Sequence, residues 1–116
     1  MQLDERLVGD VVVLVVSGDL TLNHGGDVML KDKVRSLILQ GRRKLVVDLG
    51  GVSSLDSAGL GELVQAYATT RNKGGSLKLS RLTPRTTVLL TITKLISVFE
   101  CYDREADAID SFSATV

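Results

Sequence analysis

A strand–turn–helix pattern in the middle of the chain constrains the fold more than any other feature. The aliphatic run Leu45–Leu49 is typical of a buried β-strand, and a short turn separates it from a helix that begins near Ser57. Apolar residues of this helix recur at the spacing of one helical face: Leu60, Leu63, Val64, Tyr67 and Ala68. We expect Glu62, Gln65 and Thr69 on the opposite face. A strand that leads directly into a packed helix indicates a layered α/β domain.

Strands and helices alternate along the rest of the chain. The predicted strands are Leu3–Val8, Val11–Ser17, Leu45–Leu49, Ser76–Ser80 and Leu95–Cys101. The predicted helices are Gly26–Gln40 with Val28, Leu30, Val34, Leu37 and Ile38 inward, Ser57–Asn72, Pro84–Ile92, and a last one capped by Asp103 with Ala106, Ile109 and Phe112 inward. A hairpin at Gly9 and later helical crossovers predict a mixed sheet of four to five strands with helices packed on it. The length, 116 residues, fits one domain spanning 1–116.

Composition argues against several classes of partner. Fourteen basic and fourteen acidic side chains balance to a formal net charge of zero, unlike a protein that coats nucleic acid or an acidic membrane. The N-terminal segment lacks the apolar core of a signal peptide, and the longest aliphatic run, Val11–Val16, is far too short to span a bilayer. The single cysteine, Cys101, fits a reducing compartment and is interpreted as a small buried hydrophobe. We expect a cytoplasmic protein with no nucleic-acid partner and no direct membrane insertion.

Two interpretations meet at Ser57. Asp56 and Ser57 are both good N-cap residues, and one of them must satisfy free N–H groups of the helix. A phosphate added to the Ser57 hydroxyl would also sit on such groups at the positive end of the helix dipole. Gly59 and Gly61 favour this second use, since each costs the helix about 1 kcal/mol relative to alanine and leaves the backbone uncovered. From the residues alone, a helix cap and a phosphoacceptor switch both stay open.

Catalytic alternatives find little support in the residues. The nucleophile-elbow spacing Gly-x-Ser-x-Gly is absent around Ser57, and His24, the only histidine, falls in a predicted loop. An aspartyl phosphoacceptor at Asp48 would need clustered carboxylates to hold magnesium, and only Asp19 follows the second strand. We therefore interpret Asp48 as the polar end of its strand, and expect no enzymatic activity, cofactor or metal.

The run from Val47 to Gly61 resembles the signature of bacterial anti-sigma factor antagonists, members of the STAS domain family. Its most specific element is Asp56-Ser57-Ala58-Gly59-Leu60-Gly61. Other segments agree with it: Gly18-Asp19-Leu20 after the second strand, residues 74–79 in the next strand, and residues 89–95. The resemblance covers almost the whole chain and implies a single STAS-like domain.

The resemblance also implies a partner-switching function. The unmodified antagonist would bind an anti-sigma factor that is also a serine kinase, and so release the sigma factor. Phosphorylation of Ser57 with ATP would separate the pair, and a metal-dependent serine phosphatase would reset the serine. The implied partner-binding residues are Asp19, Thr21, Asn23, Asp56, Ser57, Ala58, Gly59, Leu60 and Gly61. In this interpretation Asp56 caps or orients beside Ser57, and the glycines keep the backbone approachable.

Thr21 departs from the family pattern. The family usually carries a second carboxylate there, close to the phosphorylation site, so the difference bears on how well Ser57 is phosphorylated and by which kinase.

An alternative function is compatible with the same fold, since related domains serve as accessory subunits of membrane transport complexes. Such a subunit would bind an ATPase chain and would not be phosphorylated.

Overall fold

The computed structural model describes residues 2–21 and 29–113. These residues form five β-strands and four α-helices. In chain order they are β1 (Gln2–Val8), β2 (Val11–Leu20), α1 (Met29–Leu39), β3 (Lys44–Leu55), α2 (Ser57–Asn72), β4 (Ser76–Ser80), α3 (Pro84–Ile92), β5 (Cys101–Tyr102) and α4 (Glu105–Ser111). A single 3-10 turn, Leu95–Ser97, lies between α3 and β5.

The sheet follows the order of the chain, β1-β2-β3-β4-β5. Strand β1 is antiparallel to β2, and each later pair of neighbours is parallel. Gly9, at φ +62°, makes the hairpin turn between the first two strands. The predicted α/β fold with a mixed sheet is therefore confirmed, with five strands among the described residues.

Helices cover the two faces of the sheet unequally. Right-handed crossovers between successive parallel strands place their helices on one face, and side chains of α1, α2 and α3 share the main core with the inward residues of the sheet, among them Val34, Leu63 and Leu90. Helix α4 packs on the opposite face, where fully buried Ala108 meets Val13 and neighbouring aliphatic side chains. Because β2 and β3 are parallel neighbours, their carboxyl ends lie together at one edge of the domain.

The predicted strand Leu95–Cys101 is wrong. Its first residues form the 3-10 turn, and only Cys101 and Tyr102 pair with β4. The chain turns at Lys94, which is left-handed at φ +64°. It then buries Phe99, whose ring makes a T-shaped contact with the Tyr67 ring at a centroid distance of 5.1 Å. The apolar residues here fill the core from a loop, and this produces a run that looks like a strand.

Two predicted helical faces also need correction. In α4 the N-cap is Arg104, whose side chain makes no capping hydrogen bond to the helix backbone, so Asp103 is not the cap. Ala106 is exposed, and Ala108 is buried instead. In α2, Ala68 is exposed. Glu62 is buried, because its carboxylate accepts a hydrogen bond from the Lys31 N–H in the first turn of α1 at 2.9 Å. The predicted inward side chains of α1 are buried from Leu30 to Ile38. The predicted start of that helix at Gly26, and Val28, lie outside the described residues.

Candidate functional site

Strands β2 and β3 continue well beyond their predicted ends. They pair as far as Leu20 opposite Leu55, whereas β3 and β4 pair no further than Asp48 opposite Ser80. Strand β1 pairs with β2 no further than Ser17, so the last part of β2 and β3, residues 18–20 and 52–55, is a two-stranded ribbon that projects past the rest of the sheet. The ribbon is rich in glycine and serine, which explains why the sequence indicated a turn there.

Ser57 lies directly after this ribbon, as the first residue of α2. The cap is Asp56, whose backbone is extended and whose Oδ1 accepts a hydrogen bond from the Gly59 N–H at 2.9 Å. The N-cap is therefore Asp56 and not Ser57, so the helix does not need the serine hydroxyl as its cap. The Ser57 residue is exposed.

The backbone donors around Ser57 are fewer than the sequence suggested. The sequence predicts that free N–H groups of the first turn hold a phosphate, but the Gly59 N–H binds the Asp56 carboxylate and the Leu60 N–H binds the Asp56 carbonyl oxygen, each at 2.9 Å. The N–H groups of Ser57 and Ala58 are those of the first turn that have no intrahelical acceptor. An anion on Ser57 would meet these two donors and the positive end of the helix dipole.

Gly59 packs the helix onto the sheet and does not expose its backbone. The residue is buried, and a Cβ placed on it would lie 2.0 Å from the carbonyl oxygen of Leu20 and 2.8 Å from a methyl carbon of Leu55. Only a residue without a side chain lets the first turn of α2 come so close to β2. At Gly61, in contrast, a Cβ would meet no atom within 4 Å. The expected approachable backbone is found at Gly61 alone.

Asp19 is brought to the same end of the molecule by the ribbon. Its Oδ1 accepts a hydrogen bond from the Ser54 hydroxyl at 2.7 Å, directly across the β2–β3 pairing. Thr21 follows at the end of β2 and is partly buried, and Asn23 lies outside the described residues. Leu60 is buried and supports the surface from beneath. The structure thus gathers Asp19, Thr21 and the first turn of α2 at one edge of the domain.

A second polar cluster, which the sequence pattern did not predict, lies on the α4 side of the sheet. Asp48 lies inside β3 and is fully buried, which corrects its interpretation as a strand end. Its Oδ1 accepts a hydrogen bond from the Gly50 N–H at 2.9 Å, and its Oδ2 lies 3.7 Å from Nη1 of Arg81. Ser80, opposite Asp48 in the register, is also fully buried. A lone acid inside an aliphatic run is the one sequence signal that could have indicated this cluster.

The described residues show little sign of reactive chemistry. Cys101 is half-buried, and burial raises the pKa of its thiol, so the reactive thiolate is disfavoured. No group of three or more His, Cys, Asp or Glu side chains in residues 2–21 and 29–113 is placed to hold a metal ion. In the same part of the chain, no helix combines the length and apolar character needed to cross a bilayer.

Comparisons with known proteins agree with the predicted family. A family model described as Mlab, STAS domain matches residues 3–97. The anti-sigma-B factor antagonist of Bacillus subtilis (strain 168) is 34% identical over 88 residues, which make up 71% of this chain and 80% of that protein. This match spans most of both chains.

Two solved structures share the fold. The crystal structure of an anti-sigma factor antagonist from Mycobacterium paratuberculosis has a TM-score of 0.82 at 24% identity, covering 95% of this chain and 92% of that one. The Bacillus cell fate determinant SpoIIAA in its phosphorylated form has a TM-score of 0.76 at 20% identity, covering 96% and 99%. With the family model spanning most of its length, the chain belongs to the STAS domain family.

Proposed function

We propose that this protein is an anti-sigma factor antagonist that binds an anti-sigma factor serine kinase until Ser57 is phosphorylated. One observation carries the proposal: Asp56 caps α2, so the Ser57 hydroxyl stands exposed at the helix start with no structural task in the cap. The similarity to a Bacillus subtilis protein named as an anti-sigma-B factor antagonist supports the same function.

Phosphorylation would act here through charge. A phosphate adds about −1.5 to −2 charges at neutral pH, and it would join the carboxylates of Asp56 and Asp19 at the same edge of the domain. In a close-packed interface this concentration of negative charge is expensive to desolvate and repels acidic groups of a partner. The fold itself would tolerate the anion, because the N–H groups of Ser57 and Ala58 and the helix dipole favour it.

The proposed cycle needs two partner proteins. A serine kinase that is also the anti-sigma factor would supply the phosphoryl group from ATP, and a serine phosphatase would remove it. The antagonist itself would carry out no chemistry beyond offering its hydroxyl. Its role would be that of a regulated binding protein.

A phosphorylation assay tests the assignment. The purified protein is incubated with MgATP and each anti-sigma factor kinase encoded by the source organism, and its intact mass is followed. We expect the mass of one phosphoryl group to be gained by the wild type and by the Ser53→Ala control, and not by Ser57→Ala. Ser53 is a suitable control because it is an exposed serine of the adjoining ribbon.

Two results would contradict the proposal. Phosphorylation of the Ser57→Ala variant to the same extent as the wild type would move the acceptor elsewhere. Capture of a transport ATPase subunit by a protein that no such kinase modifies would favour the accessory-subunit function instead.

A further inference from the structure

We infer that Arg81 belongs to the partner-binding surface around Asp19 and Ser57, where buried Asp48 orients it to bind a carboxylate group of the partner protein. This inference rests on the proposed function, since it concerns how the same partner is held. Arg81 lies immediately after β4, at the edge of the sheet from which the ribbon projects.

The backbone of Arg81 is held in an uncommon conformation. Its φ angle is +55°, in the left-handed region that residues other than glycine seldom adopt. Its N–H donates a hydrogen bond to the carbonyl oxygen of Tyr102 at 3.0 Å, which ties the residue to β5. Strained residues of this kind persist where the surrounding structure determines them, and they are found disproportionately at binding sites.

The side chain of Arg81 lies flat over the sheet. A Cβ on Gly50 would fall 2.4–2.6 Å from three atoms of the guanidinium group, so the absence of a side chain at Gly50 makes room for it. Behind it, Nη1 faces the buried Asp48 carboxylate at 3.7 Å. An ion pair of that length orients the arginine without a direct hydrogen bond.

The hydrogen-bonding capacity of this cluster is largely unused. Among the described residues, Asp48 Oδ2 and Ser80 Oγ are buried without a hydrogen-bond partner. The Arg81 side chain, whose guanidinium group has five N–H donors, remains 54% exposed. A planar donor fork that is fixed at its base and open to solvent suits a carboxylate, which it can bind through two parallel hydrogen bonds.

The position of Arg81 favours a protein partner over a small anion. Arg81 lines neither of the two cavities of about 280 and 460 Å³ at the opposite end of β4, around Ser76. Phosphorylated Ser57 is also out of reach, because the guanidinium group lies over Gly50 and the five residue steps of strand from Gly50 to Leu55 span about 16 Å. A standard protein interface covers about 800 Å² on each partner, roughly 30 Å across, so one partner can cover both Arg81 and Ser57.

Binding measurements with the kinase identified by the phosphorylation assay test this inference. Wild-type protein, unphosphorylated, is titrated with the kinase at several salt concentrations beside Arg81→Ala and the matched control Arg85→Ala. Arg85 is an exposed arginine in the first turn of α3, and its loss changes the net charge equally. We expect Arg81→Ala to bind about tenfold more weakly with a flatter salt dependence, as for a truncated interfacial arginine, and Arg85→Ala to bind as the wild type does.

A second variant guards against misfolding. Because Arg81→Ala leaves Asp48 buried without its cation, the double variant Asp48→Asn/Arg81→Ala removes the charge as well, and circular dichroism verifies that it is folded. Wild-type affinity in either folded variant, or an equal loss in Arg85→Ala, would overturn the role of Arg81 and leave the proposed function intact. Failure of the wild-type protein to bind the kinase would overturn both.

Discussion

Neighbouring residues at the start of α2 have separate tasks. The Asp56 carboxylate satisfies the helix through the Gly59 N–H, and this leaves the Ser57 hydroxyl exposed for a partner. Two glycines with the same sequence signature likewise differ, since Gly59 is packed against Leu20 and Gly61 faces open space. Residue type and spacing indicated a site here, but only the packing of α2 on β2 assigns each residue its task.

The two glycines predict opposite effects of the same substitution. Gly59→Ala gains about 1 kcal/mol of helix propensity, but its new Cβ would lie 2.0 Å from the Leu20 carbonyl oxygen. We expect a net loss of about 1–3 kcal/mol in the free energy of unfolding, as for an overpacked core. Gly61→Ala meets no neighbour and should gain up to about 1 kcal/mol. Urea unfolding of both variants measures the difference, and a stabilised Gly59→Ala protein would contradict the packing described here.

Among the secondary-structure elements, helices α1 and α2 are linked by the buried carboxylate of Glu62. Glu62 extends from α2 to the first turn of α1, where its Oε1 accepts the Lys31 N–H. The N–H groups of that turn have no acceptor within their own helix, so a side chain from another element serves as part of its cap. A pattern analysis based on polarity puts such a glutamate on the solvent face.

Replacing Glu62 should therefore be costly. We expect Glu62→Ala to lower the free energy of unfolding by about 1–3 kcal/mol, because the partly buried Lys31 N–H loses its acceptor. The exposed Gln65 on the same helix provides the control, and Gln65→Ala should change stability by less than about 0.5 kcal/mol. Thermal unfolding of the two variants makes the comparison, and equal melting temperatures would show that the contact with α1 contributes nothing.

A strand or helix of this protein could be predicted from its sequence where one of its faces is buried in the core. The aliphatic cores of β2 and β3 and the inward residues Leu60 and Leu63 of α2 followed from periodicity, because one face of each is buried in the main core. The second half of β3, after Leu49, could not be predicted from periodicity, because Gly50 and Gly51 carry no side chains and so interrupt the strand pattern. Asp48 and Arg81 meet only through the pairing of β3 with β4, a long-range contact that local sequence does not encode.

At the scale of the whole molecule, the described chain places its candidate site and its core at different locations. The core lies between the sheet and the helices, whereas Asp19, Ser57 and Arg81 lie toward the carboxyl ends of the strands. Binding at that edge requires no rearrangement of the core. Under the proposed function, phosphorylation of Ser57 would thus change the affinity of the domain for its partner while the fold stays the same.

A negative charge at position 57 should by itself weaken docking. We expect Ser57→Asp to reduce the free energy of binding to the kinase by an amount on the order of 1–3 kcal/mol, the usual range of a coupling energy. Ser57→Ala should bind as the wild type does and should resist release by ATP. Titration calorimetry measures each affinity, with Ser53→Asp as a control for added charge on the ribbon. Equal affinities for Ser57→Asp and Ser57→Ala would refute the charge mechanism.

The projecting ribbon of β2 and β3 has an evolutionary consequence. Its residue Ser53 is exposed beside the buried Val52, and the two strands of the ribbon pair only with each other. Mutations at the exposed positions can accumulate without unfolding the domain. Copies that arise by gene duplication can therefore diverge at these positions, and under the proposed function each copy would come to bind a kinase of its own.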